Sequence, residues 1–449
     1  MTLAAIFSFL WLGSVLSGAG VSKAENPIVQ NIYTADPAPL VHDGRVYIFT
    51  GHDEDNSVGY NMWDWRLFSS TDMANWQHHP VPMSLSTFSW ASAQAWAGQV
   101  VARNERFYFY VPVRNGATNR MAIGVGVSDA VTGPYVDAIG GPLLENDEID
   151  PTVFIDDDGQ AYLYWGNPNL WYVLLNEDMI SYSGDLTQVD LTAEGFGERL
   201  DNPERPTAFE EAPWLYKRDG LYYMVYAGSC CPENIRYSTG PTATGPWTYG
   251  GVIMPADGTS STNHPGIIDY NNVSYFVYHN SFLPGGSSFT RSVAVESFVY
   301  NGTEIPELHM TTEGPAQIHP LDPYTLQEAE TMAWEEGVET EDCSEGTLNI
   351  CDINDGDYIK VRGAAFGEGA VKFYARVASA ENGGNIELHL DSKDGQLIGT
   401  CTVPATGGWQ EWVTVSCPVS GATGTHDLFL YFAGSGTDYL FNINRWQFE

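Results

Sequence analysis

The sequence predicts an all-β protein, a five-bladed β-propeller followed by a β-sandwich. Three observations predict it. A strand–turn–strand phrase recurs five times in the first 315 residues, at intervals of about 50 to 60 residues. No stretch of that region carries helical periodicity. From about residue 324 the repeat stops, and short alternating strands joined by Gly-rich turns take over.

Each copy of the repeat has a polar or aromatic leading residue, then Pro or a small residue, an apolar run, a turn pair and an aromatic strand. The copies are DPAPLVHDGRVYIFTG from Asp36, the weaker WAGQVVARNERFYFYV from Trp96, DPTVFIDDDGQAYLYWG from Asp150, EAPWLYKRDGLYYMVYAG from Glu211 and HPGIIDYNNVSYFVYHN from His264. The turn pairs begin at Asp43, Asn104, Asp158, Asp219 and Asn271, each seven or eight residues after the leading residue. Asp-Gly or an Asn-containing pair between apolar runs is the chemistry of a tight hairpin. Five antiparallel units of this kind suit a propeller, whose equivalent positions face one axis. Asp36, Trp96, Asp150, Glu211 and His264 are therefore expected at one end of a central channel. By its count to the turn, Glu211 matches Asp150, and Glu210 should point the other way along an extended strand.

Carboxylates gathered near an enclosed axis cannot share one pKa, because burial and repulsion raise one while hydrogen bonds keep another ionised. A protonated acid opposite an ionised base is the machinery of glycoside hydrolysis. Trp96, and Trp90 close to it in sequence, supply aromatic faces that pack against sugar C–H groups.

The bulk properties agree. Fifty-seven acidic against nineteen basic residues give a formal net charge of −38. A field of that sign repels nucleic acid and anionic membranes but not a neutral polysaccharide. Residues 1–24 read as a secretory signal, with an apolar core from Leu3 to Val15, small residues and Ala24, although no Lys or Arg precedes the core. The expected product is a secreted, monomeric protein, with sequons at Asn272 and Asn301 as glycosylation acceptors. Six cysteines in a secreted chain suggest disulfides. Cys343 is expected to pair with Cys351 and Cys401 with Cys417. Cys230 and Cys231 are adjacent, and either a vicinal disulfide or two thiols is open to them.

ADPAP at 35–39, IDPTVF at 149–154, EAPWLYKRDGLYY at 211–223 and TNHPGI…YFVYHN followed by LPGGSSFTRSV resemble glycoside hydrolase family 43, over about residues 26–315. The resemblance implies a five-bladed propeller and hydrolysis with inversion. It implies Asp36 as general base, Glu211 as general acid and Asp150 as the group that raises and orients the acid. It also implies His279 and Arg291 at the substrate, and His264 near a channel calcium held largely through water, since imidazole is a poor ligand for a hard cation.

Residues 316–323 read as a linker. YTLQEAE, DGDYIKV, FGEGAVKFYARVAS and CTVPATGGWQEWVTVSC, within 324–449, resemble carbohydrate-binding module family 6. That resemblance implies a jelly roll binding xylan or other β-glycans. It also implies a structural calcium near Glu328 and Glu330, with Asn444 where the family commonly has Asp, and a sugar cleft at Trp409 and Asn442. Asp352 stands where a second cleft aromatic is usual. The expected function is an α-L-arabinofuranosidase acting on arabinoxylan. Its rivals are a β-xylosidase, an enzyme with both activities, and, from another class, a non-catalytic carbohydrate-binding protein.

Overall fold

The computed structural model describes residues 25–449 except 201 and 437; the signal expected at 1–24 lies outside the described residues. Among the described residues no helix is long and apolar enough to cross a membrane.

Five small antiparallel sheets form the first domain. The first blade is Tyr33–His42, Arg45–Asp53, Asp64–Ser70 and Trp76–His78. The second is built on Gln99–Arg103, Arg106–Asn115 and Met121–Ser128, with Val136–Asp137 and Leu144–Glu145 at its outer edge. The third is Thr152–Ile155, Ala161–Trp165, Trp171–Leu175 and Tyr182–Gln188. The fourth is Phe209–Arg218, Leu221–Gly228, Asn234–Gly240 and Thr248–Met254. The fifth has three strands, Gly266–Tyr270, Val273–Asn280 and Ser292–Phe298.

The aromatic strands are apolar on both faces because each is buried between two neighbouring blades. Side chains alternate across a strand. Phe49 packs toward blade two and Ile48 toward blade five. Phe109 meets blade one, and Tyr110 meets blade three. Tyr164 and Met224 share the core between blades three and four. Val225 and Phe276 share the next one. Five inter-blade cores therefore close a ring.

Four inner hairpins have two-residue turns with both residues at positive φ: Asp43–Gly44 (46°, 71°), Asn104–Glu105 (52°, 61°), Asp219–Gly220 (51°, 79°) and Asn271–Asn272 (48°, 62°). That is the type I′ geometry whose twist suits a hairpin. The third blade departs from the expected tight pair at Asp158. Ile155 faces Ala161, so residues 156–160 form a five-residue loop. Both sequon asparagines, Asn272 and Asn301, are exposed.

Closure of the ring joins blade five to blade one. The Asn26 side chain exchanges hydrogen bonds with the Val295 main chain (both 3.0 Å), Ile28 N donates to Val293 O (2.9 Å) and Thr34 N to Arg291 O (2.9 Å). Beside this seam Arg291 reaches across to blade one. Its Nε and Nη2 hold the two oxygens of buried Asp53 (2.8 and 2.9 Å), and its main-chain N–H adds a third bond (2.9 Å). Burial pushes Asp53 up, and the Arg291 guanidinium more than reverses this, holding it below its ordinary value.

Residues 316–323 are not a free tether. Ile318 N donates to Asp72 O (2.9 Å) in the propeller, while Leu321 bonds both Gly363 and Ala365 of the second domain (3.0 and 2.9 Å). Thr331–Met332 then runs antiparallel to Trp76–His78 and extends the first blade. The second domain is a sandwich of two antiparallel sheets. One contains Glu339–Asp342, Leu348–Cys351, Asn442–Phe448, Lys372–Ser379 and Gly408–Pro418; the other contains Trp334–Glu336, Tyr358–Gly367, Gly424–Ala433, Gly384–Leu390 and Gln396–Val403. Phe373, Ile443 and Trp446 from one face meet Val361, Leu388 and Leu430 from the other.

Cys401 and Cys417 are bonded, as expected, and so are Cys230 and Cys231. The expected Cys343–Cys351 bond is absent, and both are free cysteines. The hairpin register explains this. Cys351 faces Glu339, and Asp342 faces Leu348, so Cys343 lies beyond the opposite end of the pair. Four residues of strand separate them by roughly 13 Å, about twice what a disulfide spans.

Asp53→Ala is expected to destabilise the propeller by about 3–5 kcal/mol, because it leaves part of a buried guanidinium unpaired. Chemical denaturation followed by tryptophan fluorescence checks this; a variant as stable as its parent would show that the ring does not depend on this pair.

Candidate active site

All five leading residues, Asp36, Trp96, Asp150, Glu211 and His264, line one cavity of about 300 Å³. The backbone presents them through unusual conformations. Asp36 and Asp150 are left-handed (φ 51° and 59°), each followed by Pro, and the strand register slips between Ala35 and Ala38. In the fourth blade the left-handed residue before Pro is Ala212 (φ 55°). Ala212, rather than Glu211, is thus the backbone equivalent of Asp150. The count to the turn misaligned them because the third blade's loop is longer. Glu211 still reaches the cavity, one residue earlier, from a bulged strand.

Asp36 is buried and held from behind. Arg291 Nη1 donates to its Oδ1 (2.8 Å), and its main-chain N–H donates to His279 Nδ1 (3.2 Å). His279 Nε2 lies 2.8 Å from Thr262 O, so the ring proton sits on Nε2. Burial, followed by the Arg291 charge, lowers the His279 pKa to about 4, so the imidazole is neutral. His279 was expected at the substrate. It is fully buried and lies outside the cavity lining, so it supports Asp36 instead. Arg291 does line the cavity, and its guanidinium lies over the Tyr60 ring, 5.1 Å from the centroid.

Asp150 accepts the Ala212 N–H (3.0 Å). Burial, then the charges of Glu211 and Asp36, push it well above the ordinary carboxylate value. Burial, then Asp36, raises Glu211 to about 7, and Asn167 Nδ2 donates to Glu211 Oε2. Asn167 is in turn set by buried Glu148, which accepts its main-chain N–H (2.6 Å) and the Asn169 amide (2.9 Å). Glu210 has a different fate. Its carboxylate is bound by Arg199 and by Arg205 Nη1 (2.6 Å). Glu210 was expected to point away, yet it lines the cavity as well, because the strand is bulged there; what separates the pair in FEEAPW is that Glu210 is ion-paired and Glu211 is not.

Trp96 lines the cavity, its indole N–H tied to Tyr60 O (2.9 Å). Trp90, expected beside it, lies outside the lining. It packs on Phe88 and donates to Asp137 Oδ2 (3.1 Å). The cavity also holds residues that the repeat did not reveal: Tyr60, Asn167, Glu233 and the Cys230–Cys231 pair. Glu233 is buried, accepts Asn263 N–H (2.8 Å), and is pushed well up by burial and then by Glu211. None of these occupies a repeat position. Of these, only the adjacent cysteines had stood out in the sequence.

His264 is neutral, with burial lowering its pKa to about 3. Among the described residues no three His, Cys, Asp or Glu side chains converge as a metal site. A calcium at His264 would therefore depend on water for nearly all its ligands. The sandwich is different. Glu328 Oε2, Glu330 Oε2 and Asn444 Oδ1 are buried without hydrogen-bond partners, although Ala329 N, between the glutamates, bonds Asn444 O (2.8 Å). Three orphaned oxygens in one place form the hard donor set that calcium takes. At the expected sugar cleft, buried Asn442 donates to Trp409 O (3.0 Å) and Glu341 Oε1 (2.7 Å), so its amide hydrogens are engaged within the protein.

Comparison with known proteins agrees with this architecture. The profile of Glycosyl hydrolases family 43 matches residues 24–306, and that of Carbohydrate binding module (family 6) matches residues 328–449. An arabinoxylan arabinofuranohydrolase of Bacillus subtilis (strain 168) is 33% identical over 94% of this chain and 92% of its own length. The crystal structure of a family 43 arabinoxylan arabinofuranohydrolase from Bacillus subtilis, in complex with cellotetraose, superposes with a TM-score of 0.81 at 31% identity, over 95% of this chain and 99% of that one. A β-xylosidase/α-arabinofuranosidase from a compost metagenome, in complex with xylotriose and in a calcium-free form, gives 0.58 at 28% identity, over 64% of this chain and 98% of that one. The chain belongs to family 43 of the glycosyl hydrolases.

Proposed function

We propose that the protein is a secreted, inverting α-L-arabinofuranosidase that removes arabinofuranosyl side chains from arabinoxylan. The observation that carries this is a single cavity in which Glu211 is tuned to about 7 while Asp36 is gripped by Arg291. A carboxyl near 7 is still substantially protonated at neutral pH and can give its proton to the departing glycosidic oxygen. Asp36, fixed by Arg291 and by its main-chain bond to His279, takes a proton from water attacking the anomeric carbon on the opposite face. Asp150, bonded to the main chain of the residue after Glu211, positions the acid, and burial with the Asp36 charge keeps its proton on. Trp96 offers an aromatic face to the sugar. The substrate assignment rests on the arabinoxylan arabinofuranohydrolase likeness along both domains. A second reading, xylosidase with or without arabinosidase activity, is favoured by the match of the catalytic domain to the compost enzyme. The sandwich serves as a carbohydrate-binding module, with calcium held by Glu328, Glu330 and Asn444. Those three residues would hold the ion through their unpartnered oxygens, and its charge would offset the two carboxylates.

Four outcomes follow. Glu211→Gln lowers kcat on arabinoxylan by roughly 10²–10⁴-fold, and by less on an aryl arabinofuranoside, whose leaving group needs little protonation. Glu210→Gln retains most activity but lowers the melting temperature, since it breaks the Arg199 and Arg205 pairs; equal activity losses in the two variants would refute the assignment. Steady-state rates on aryl arabinofuranoside and aryl xyloside also decide between the readings, and no turnover of either with xylan binding retained would favour a non-catalytic protein. Proton NMR of the first-formed sugar on intact arabinoxylan should show the inverted anomer and the linkage cut.

The alkaline limb of the activity profile should fall near pH 7, where Glu211 loses its proton. Asn167 stabilises the charged form, so Asn167→Ala moves that limb upward; a fixed limb would refute the role of Glu211. The folded pKa of Glu211 exceeds its unfolded value of 4.5, so the native state holds the extra proton and loses stability as pH rises between these values. Glu211→Gln removes that loss and should melt higher than the parent at pH 8. Calcium chelation should lower the melting temperature of the module, with recovery on re-addition, and Glu330→Gln should abolish that response.

A further inference from the structure

Cys230 and Cys231 are bonded to each other and line the same cavity as Asp36, Trp96 and Glu211. The mechanism above gives them no part. Cys231 is exposed and Cys230 half-buried, whereas Asp36 and Asp150 are buried, so the sulfurs stand at the mouth and the carboxylates at the floor. The turn that carries them is pinned from both ends. Ser229 N donates to Ala208 O (3.0 Å), and Glu233 N to Ser261 O (3.1 Å). Cys230 O accepts from Arg199 Nη2, and Cys230 N donates to Glu210 Oε2 (3.4 Å). Glu210 is the chain neighbour of Glu211. One charged knot therefore holds both the disulfide and the segment of the acid.

Two bonded sulfurs have no N–H or O–H donor and are highly polarizable, and bonded to each other they cannot swing apart as free side chains would. Such a surface attracts C–H groups by dispersion without asking for a hydrogen bond. The apolar face of a sugar ring is the matching partner.

We infer that the Cys230–Cys231 disulfide is a packing platform for the sugar on the leaving-group side of the scissile bond, the xylose unit of the main chain that departs as Glu211 gives up its proton. This rests on the reading of Glu211 as the acid. The acid stands beside the glycosidic oxygen, so a surface tied to its own segment and lying outward of it meets the departing ring. The ring under attack lies deeper, among the carboxylates.

The test uses the unmodified enzyme. The disulfide is reduced with a water-soluble phosphine and alkylated with iodoacetamide, and labelling is followed by peptide mass spectrometry without sugar, with saturating xylotriose and with saturating L-arabinose. Xylotriose should slow labelling of Cys230 and Cys231 at least about fivefold, and arabinose less than about twofold, while Cys401 and Cys417 respond to neither. Equal labelling with and without xylotriose overturns the inference. So does protection by arabinose as strong as by xylotriose, which would set the sulfurs against the inner ring. In the variant carrying Cys230→Ala and Cys231→Ala, KM for arabinoxylan should rise about tenfold with a smaller change in kcat, the size expected for one apolar contact; an unchanged KM overturns the inference. Should that variant not fold, the labelling arms decide alone. An unmodified enzyme that hydrolyses neither arabinoxylan nor an aryl glycoside would sink the glycosidase reading instead, and would do so without altering what the labelling reports.

Discussion

Arg291 does two things at once. Its guanidinium neutralises Asp53 and joins the last blade to the first, and its remaining nitrogen, Nη1, grips Asp36. Three buried charges share one fork, so none can be removed without exposing another to a low-dielectric interior. Ring closure and the placing of the proposed base are consequently one interaction. This couples folding to chemistry: a propeller whose seam has opened has also lost the geometry of its floor. It also explains why a buried arginine is retained where a hydrophobic seam would be simpler. The planar fork can bind two carboxylates in fixed directions, which apolar packing cannot do.

The cavity is made where blade geometry is least regular. The inter-blade cores are repetitive, and their strands pair in good register. At the inner strands' leading ends, Asp36, Asp150 and Ala212 instead take left-handed backbone conformations before proline. Each such residue costs of order 1–3 kcal/mol unless its surroundings hold it there. The surroundings do so here: Asp36 N–H is bound by His279, and the Ala212 N–H by Asp150. Strain at the rim of the channel is thus stabilised by the same groups that the chemistry needs, and burial then raises Asp150 and Glu211 together.

What could be read beforehand divides along physical lines. Asp36, Trp96, Asp150 and His264 were legible because symmetry carries repeated positions to one axis; Glu211 was reached by a count that slipped one residue, since Ala212 holds the equivalent backbone position. Asp53, Asn167 and Glu233 were not, because they sit at a strand end, in a connecting loop and after a turn, where closure in three dimensions decides what they face. Sequence nearness misled twice. Trp90 is six residues from Trp96 yet packs on Phe88, and Cys343 is eight from Cys351 yet lies at the far end of their hairpin. His279 was assigned to the substrate through its motif, but that motif carries no information about depth, and the ring lies one layer behind.

The junction of the two domains changes what the sandwich can contribute. A module on a flexible linker raises the local concentration of polymer wherever it happens to bind. Here Thr331–Met332 is an edge strand of the first blade's sheet, and Asp72 gathers Asn75 and Gln317 by hydrogen bonds of 2.7 to 3.0 Å. Lys360 and Arg362 of the sandwich also pair with Glu25 of the propeller, at 3.0 and 3.2 Å. These contacts are charged or main-chain bonds of fixed direction, so they set orientation as well as proximity. A fixed module helps only if a chain seated on it also runs across the cavity mouth, and it hinders if the two paths diverge. On the proposed reading, specificity for the polymer therefore depends on the placing of the two joined domains as well as on the pocket.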